Sequence, residues 1–89
     1  MQRIALVTGA SRGLGEHIAR RLHGIGCKVC VTDLDLAAVN AVAQSLDASG
    51  ESAFACRLDV RSKGDFISVR DALIDRWGGA DILVNNAGT

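Results

Sequence analysis

Four short apolar runs alternate with three amphipathic stretches, and this alternation limits the fold more than any other feature of the chain. Residues 3–8 (RIALVT), 28–32 (KVCVT), 52–58 (SAFACRL) and 81–85 (DILVN) have strand length. The first lacks polar alternation, as expected of a strand buried on both faces. Between the first two runs, Leu14, Ile18, Ala19 and Leu22 recur at helical spacing over 13–24. Ile25 lies just beyond, and Gly24 and Gly26 end the stretch. Asp35 stands where it can cap a second helix with an apolar face of Leu36, Val39, Val42, Ala43 and Leu46, stopped near Gly50. Ser62 and Asp65 have capping-box spacing, with Asp in place of Glu or Gln. The third helix they open presents Phe66, Val69, Leu73 and Trp77 and ends at Gly78-Gly79.

Strands alternating with helices of this length imply right-handed crossovers and a parallel sheet. The expected architecture is α/β: a Rossmann-type, doubly wound sheet with strand order 3-2-1-4. Residues 1–89 then form one domain around this sheet. The first two helices cover one face and the third covers the other. The strand order reverses between strands 1 and 4, and sheets of this kind bind ligands there, beyond the carboxyl ends of the strands.

Composition narrows the function classes. The 89 residues suffice for one small domain, and 48% hydrophobic content supplies its core. Ten basic and ten acidic residues balance to zero net charge, so no basic excess points to a nucleic-acid partner. The N-terminal apolar run of Ile4 to Val7 is too short for a signal-peptide core or a membrane span. A cytoplasmic protein without a membrane partner is expected. Cys27-Lys-Val-Cys30 spells C-x-x-C, but positions three apart on a strand face opposite ways. The cysteines are therefore read as packing residues. His17 and His23 lie six apart in a helical stretch, and a zinc site would lack its fourth ligand. No metal site is expected.

The polar residues that matter fall at the four strand ends. After strand 1, Gly9, Gly13 and Gly15 are spaced G-x-x-x-G-x-G. Glycine there permits a tight turn and close approach of a phosphate, at which the next helix aims its N–H groups. A turn with no ligand is the competing reading. After strand 2, Asp33 lies 18 residues beyond Gly15, near the offset at which an acid meets an adenosine ribose. It could equally cap the next helix. After strand 3, Asp59-Val60 could meet an adenine edge or form a solvated turn. After strand 4, Asn85-Asn86-Ala87-Gly88 leaves room for something flat, or makes a turn that needs Asn and Gly. Four such signals on one edge of a sheet favour a dinucleotide site together.

These motifs, TGASRGLG (Thr8 to Gly15), Asp33, Asp59-Val60 and NNAG, resemble the N-terminal half of the short-chain dehydrogenase/reductase family over the whole chain. The resemblance implies that Gly9, Ser11, Arg12, Gly13, Leu14 and Gly15 surround a pyrophosphate. By the same resemblance Asp33 holds the adenosine ribose, Asp59 and Val60 hold the adenine, and Asn86, Ala87 and Gly88 flank the cofactor. A carboxylate on the ribose repels a 2′-phosphate, which favours NAD. Arg12 keeps NADP open, because NADP-using relatives often carry a base there. Arg12 could otherwise sit in solvent or pair with Asp33.

Family members transfer a hydride between the nicotinamide and an alcohol or carbonyl substrate. Their proton-transfer tyrosine lies in a Tyr-x-x-x-Lys motif beyond NNAG, and this chain contains no tyrosine. No catalytic residue is therefore assigned. By the resemblance, residues 1–89 are expected to be the N-terminal portion of one dinucleotide-binding Rossmann domain, in a protein roughly two to three times as long. Ile82, Leu83 and Val84 would then line an unpaired edge that invites self-association. Two alternatives carry different functions. One is a non-enzymatic dinucleotide-binding or sensing module that dimerises through strand 4. The other is a response-regulator-like domain with Mg²⁺ on strand-end acids, although its first strand would have to end in an acid rather than in Thr8-Gly9.

Overall fold

A computed structural model describes residues 2–87. The elements run β1 (Ile4–Val7), α1 (Gly13–Gly24), β2 (Lys28–Asp33), α2 (Leu36–Leu46), β3 (Ala53–Arg57), α3 (Lys63–Trp77) and β4 (Ile82–Val84). The sheet order is β3-β2-β1-β4, with every pair parallel. This is the expected order; β1, β3 and β4 lie within their expected runs, and β2 extends one residue past its run to include Asp33.

Alternation along the central strands splits the core in two. Val7, Val29 and Val31 point to one face, where they meet Ala19 of α1 and Val39, Val42 and Ala43 of α2. Leu6, Cys30 and Phe54 point to the other, where Val69 and Leu73 of α3 cover them. Small and β-branched residues let α1 and α2 pack closely on the first face, whereas the larger Leu6 and Phe54 fill the space beneath α3 on the second. Cys27 joins the first cluster and Cys30 the second, so the C-x-x-C residues face apart. Trp77 fixes the end of α3 to the outer strand. Its ring meets Phe54 edge-on at 4.9 Å, and its indole N–H donates to the Glu51 carbonyl at 3.2 Å.

Three apolar residues assigned to helix faces lie in solvent instead. Leu14 and Leu36 stand in first turns and Ile25 just past a last one, where helices overhang strands of only three to six residues. The α3 face is also the less covered. Ile82 and Val84 pack against the first cluster, whereas Leu83 of the same strand is 60% exposed on the α3 side.

The caps follow the expected pattern with one change. Asp35, not Asp33, caps α2 by accepting from the Ala38 N–H at 3.1 Å. Ser62 caps α3 by accepting from the Asp65 N–H at 3.1 Å. The return arm of a capping box is missing. Asp65 accepts from the Asp59 N–H at 2.9 Å and from Arg57 at 3.3 Å, while the Ser62 N–H donates to the Asp59 carbonyl. Asp is one methylene shorter than the Glu that a capping box prefers, and its carboxylate is spent on the turn before the helix.

Candidate functional site

The carboxyl ends of all four strands open onto one cleft of about 710 Å³. Gly9, the first residue of the glycine turn, lines it. Two hydrogen bonds fix the ends of β1, β2 and β3 relative to one another: Ala10 N–H to the Thr32 carbonyl, and Leu58 N–H to the Asp33 carbonyl, each 2.9 Å. The three glycines of the turn have different duties. Gly9 and Gly13 both have positive φ, at 63° and 59°. A Cβ on Gly13 would meet nothing within 4 Å, so conformation alone asks for glycine there. Gly15 is a matter of space, since a Cβ would strike the Gly9 carbonyl and come within 2.7 Å of Asn86 Nδ2. Its bare Cα lets the helix start sit against the turn and against Asn86 beyond β4. The first helical hydrogen bond is donated by Glu16 to the Arg12 carbonyl at 3.3 Å. The N–H groups of Gly13, Leu14 and Gly15 precede it and have no helical acceptor.

Asp33 closes β2 and lines the cleft. Its Oδ2 accepts from the Ser11 hydroxyl at 2.6 Å and the Ser11 N–H at 3.1 Å, and its Oδ1 from the Leu34 N–H at 2.7 Å. Partial burial works against the charged carboxylate, but the Ser11 and Leu34 hydrogen bonds and the nearby charge of Arg12 outweigh it and lower the pKa. Arg12 itself is exposed at the N-cap of α1 and makes no cap hydrogen bond. Among the described residues it forms no ion pair with Asp33.

Beyond β3, buried Leu58 and half-buried Val60 and Phe66 make the apolar wall of the cleft. Asp59 lies beside them, with its carboxylate already engaged. The Arg61 side chain grips both oxygens at 3.1 Å, and the Arg61 N–H adds a third bond at 3.0 Å. The Arg61 hydrogen bonds and charge hold the Asp59 carboxyl below the usual carboxylate range. Sequence reasoning missed Arg61, although an Arg two residues after an Asp was its available signal.

It also missed Thr8, which ties the β4 end to the turn. The fully buried Thr8 hydroxyl accepts from the N–H groups of Asn86 at 3.0 Å and Ala87 at 3.1 Å, and lies 3.3 Å from Asn85 Oδ1. Asn86 Nδ2 donates to the Gly9 carbonyl at 3.2 Å. Gly9, Asp33, Asp59, Val60 and Ala87 thus line one cleft, with Ser11 and Asn86 bracing it. Leu14 is 65% exposed at the start of α1. Gly88 lies outside the described residues. Among the described residues, no cluster of His, Cys, Asp or Glu could hold a metal ion, and no helix is long and apolar enough to cross a membrane.

Residues 3–89 match the family profile described as short chain dehydrogenase. The chain belongs to the short-chain dehydrogenase family. It is 40% identical over 84 residues to the 7alpha-hydroxysteroid dehydrogenase of Escherichia coli strain K12, which covers 94% of this chain and 33% of that protein. It is 41% identical over 88 residues to the xanthoxin dehydrogenase of Arabidopsis thaliana, covering 97% of this chain and 31% of that one. Among solved structures, a hydroxysteroid dehydrogenase from Escherichia coli superposes with a TM-score of 0.89 at 39% identity, over 98% of this chain and 37% of the other. A menthone neomenthol reductase from Mentha piperita gives 0.91 at 30%, over all of this chain and 32% of the other. The chain thus spans about a third of the length of these relatives. Family membership displaces the response-regulator alternative, in keeping with a first strand that ends in Thr8-Gly9.

Proposed function

We propose that this short-chain dehydrogenase chain is the dinucleotide-binding part of an NAD-preferring oxidoreductase acting on alcohol or carbonyl groups. The observation that carries this reading is the Asp33 carboxylate, held at the cleft wall beside the glycine turn. The residues present fit the group. Gly9 and Gly15 let the turn, the start of α1 and Asn86 close on one another with no side chain between them, and three first-turn N–H groups at the start of α1 have no helical acceptor. Those N–H groups would hold the pyrophosphate, Asp33 would accept from the ribose hydroxyls, and Leu58, Val60 and Phe66 would bury the adenine. Asp59 would accept from the adenine amino group through whatever acceptor capacity Arg61 leaves. Bound there, a nicotinamide dinucleotide supplies or takes a hydride at the substrate carbon. The 89 residues contain no tyrosine to exchange the matching proton, so turnover is assigned to a longer form with its own alcohol or carbonyl pocket. Self-association through β4 fits the exposure of Leu83 on a sheet edge.

Fluorescence titration with NADH and NADPH at matched ionic strength tests this reading. NADH is expected to bind more tightly. Tighter NADPH binding would overturn the NAD preference, and binding of neither would overturn the dinucleotide assignment.

A further inference from the structure

We infer that Ser11 is a positioning residue for cofactor choice: it clamps one oxygen of Asp33, so that the carboxylate presents its other oxygen to a ribose hydroxyl and cannot swing aside for a 2′-phosphate. This deepens the reading above and rests on it.

A carboxylate offers about four acceptor positions, two on each oxygen. Ser11 fills both on Oδ2, with its hydroxyl at 2.6 Å and its N–H at 3.1 Å. The Leu34 N–H takes one on Oδ1 at 2.7 Å. One position remains, on Oδ1, and it asks for a donor. A ribose hydroxyl is a donor; a 2′-phosphate is an acceptor and an anion. An exposed Asp facing a phosphate would ordinarily rotate into solvent at little cost. Here rotation breaks two charge-assisted bonds to a residue 22 positions away, in a turn itself tied to β2 by the Ala10 to Thr32 bond. Arg12 is the neighbouring cation and makes no ion pair with Asp33 among the described residues. With Ser11 in place, the clamp competes against any pull that Arg12 exerts through a phosphate.

The experiment compares the unaltered chain with Ser11→Ala and Ser11→Thr. Ser11→Ala should weaken NADH binding about tenfold, the equivalent of one charge-assisted hydrogen bond. NADPH should weaken far less, so that the NADH preference shrinks. Ser11→Thr keeps the hydroxyl and should restore both values. A second readout needs no cofactor: NMR titration of the Asp33 carboxyl should show its pKa rising toward the ordinary carboxylate value in Ser11→Ala. If the unaltered chain prefers NADH and Ser11→Ala keeps the same preference, the clamp is overturned while the dinucleotide reading stands. If neither cofactor binds the unaltered chain, the dinucleotide reading fails and the cofactor-choice role falls with it. An unchanged Asp33 titration in Ser11→Ala would overturn the clamp by itself.

Discussion

Asp33 and Asp59 hold matching stations at neighbouring strand ends, on the wall of one cleft, yet they are secured by opposite means. Asp33 is bound by Ser11, 22 residues earlier and across a strand boundary. Asp59 is bound by Arg61, two residues later in the same turn, through a side chain that is 84% exposed. The first arrangement exists only when β1 and β2 are paired. The second can form in any chain that visits the turn, including the unfolded one. Both carboxyls are held below the usual range, so ionisation alone does not tell them apart. The difference lies in what each reports about the fold. Asp33 belongs to a frame of long-range ties that also includes Thr8, Gly9, Gly15 and Asn86, whereas Asp59 carries a local ornament on an otherwise apolar wall.

Breaking the frame at its tightest point should have the largest effect. A methyl on Gly15 must push the start of α1 off the Gly9 carbonyl, and neither backbone can yield without disturbing Asn86. Gly15→Ala is expected to cost at least about 3 kcal/mol in urea unfolding and to abolish NADH binding. Gly13→Ala is the companion measurement. It meets open space and suffers only from its positive φ, for about 1–2 kcal/mol. Equal losses in the two variants would show that the close approach at Gly15 costs no more than the positive φ at Gly13, and would overturn its place as the tightest point of the frame.

Thr8→Val probes the same frame more gently. Valine keeps the shape and removes the hydroxyl that accepts from two backbone N–H groups. Asn86 N–H also reaches the Val84 carbonyl at 3.2 Å, so the main loss is the Ala87 N–H acceptor. Leaving a half-buried N–H unpaired should cost about 1–3 kcal/mol, read as a lower unfolding midpoint with an unchanged denaturant slope. A chain as stable as the unaltered one would remove Thr8 from the frame.

Much of this was legible in the sequence, and the rest had physical reasons not to be. Strand order and helix faces follow from periodicity, which is a local signal that tertiary contacts reinforce. The strand-end residues were legible because chain topology alone brings the ends of parallel strands to one edge. Which residue holds which was not. Thr8 reads as the end of a strand, and its acceptor role appears only once β4 lies beside β1. Asp65 has the spacing of a capping box, but one missing methylene sends its carboxylate to the Asp59 N–H instead. Leu14, Ile25 and Leu36 keep helical rhythm and still lie in solvent, because periodicity records a face and not where the sheet beneath it ends.

Arg61→Ala should have the smallest effect, and its pH dependence is the sharpest check on the contrast between the two acids. Asp59's carboxyl is lowered first by the Arg61 side-chain hydrogen bonds and then by the Arg61 N–H. A lowered folded pKa means that this stabilisation is present above the unfolded carboxylate value of about 3.9 and is lost as pH falls through the folded value. Removing the guanidinium while keeping the backbone N–H should therefore narrow that window without closing it. The variant and the unaltered chain should differ most above about pH 4, converge in strong acid, and converge also in about 1 M salt, which screens an exposed pair. Carboxyl titration by NMR should show Asp59 moving toward the ordinary value while Asp33 stays where Ser11 holds it. A neutral-pH loss as large as that of Thr8→Val would mean that Asp59 is tied into the frame after all, since a pair two residues apart on the surface has too little folded-state advantage to produce it.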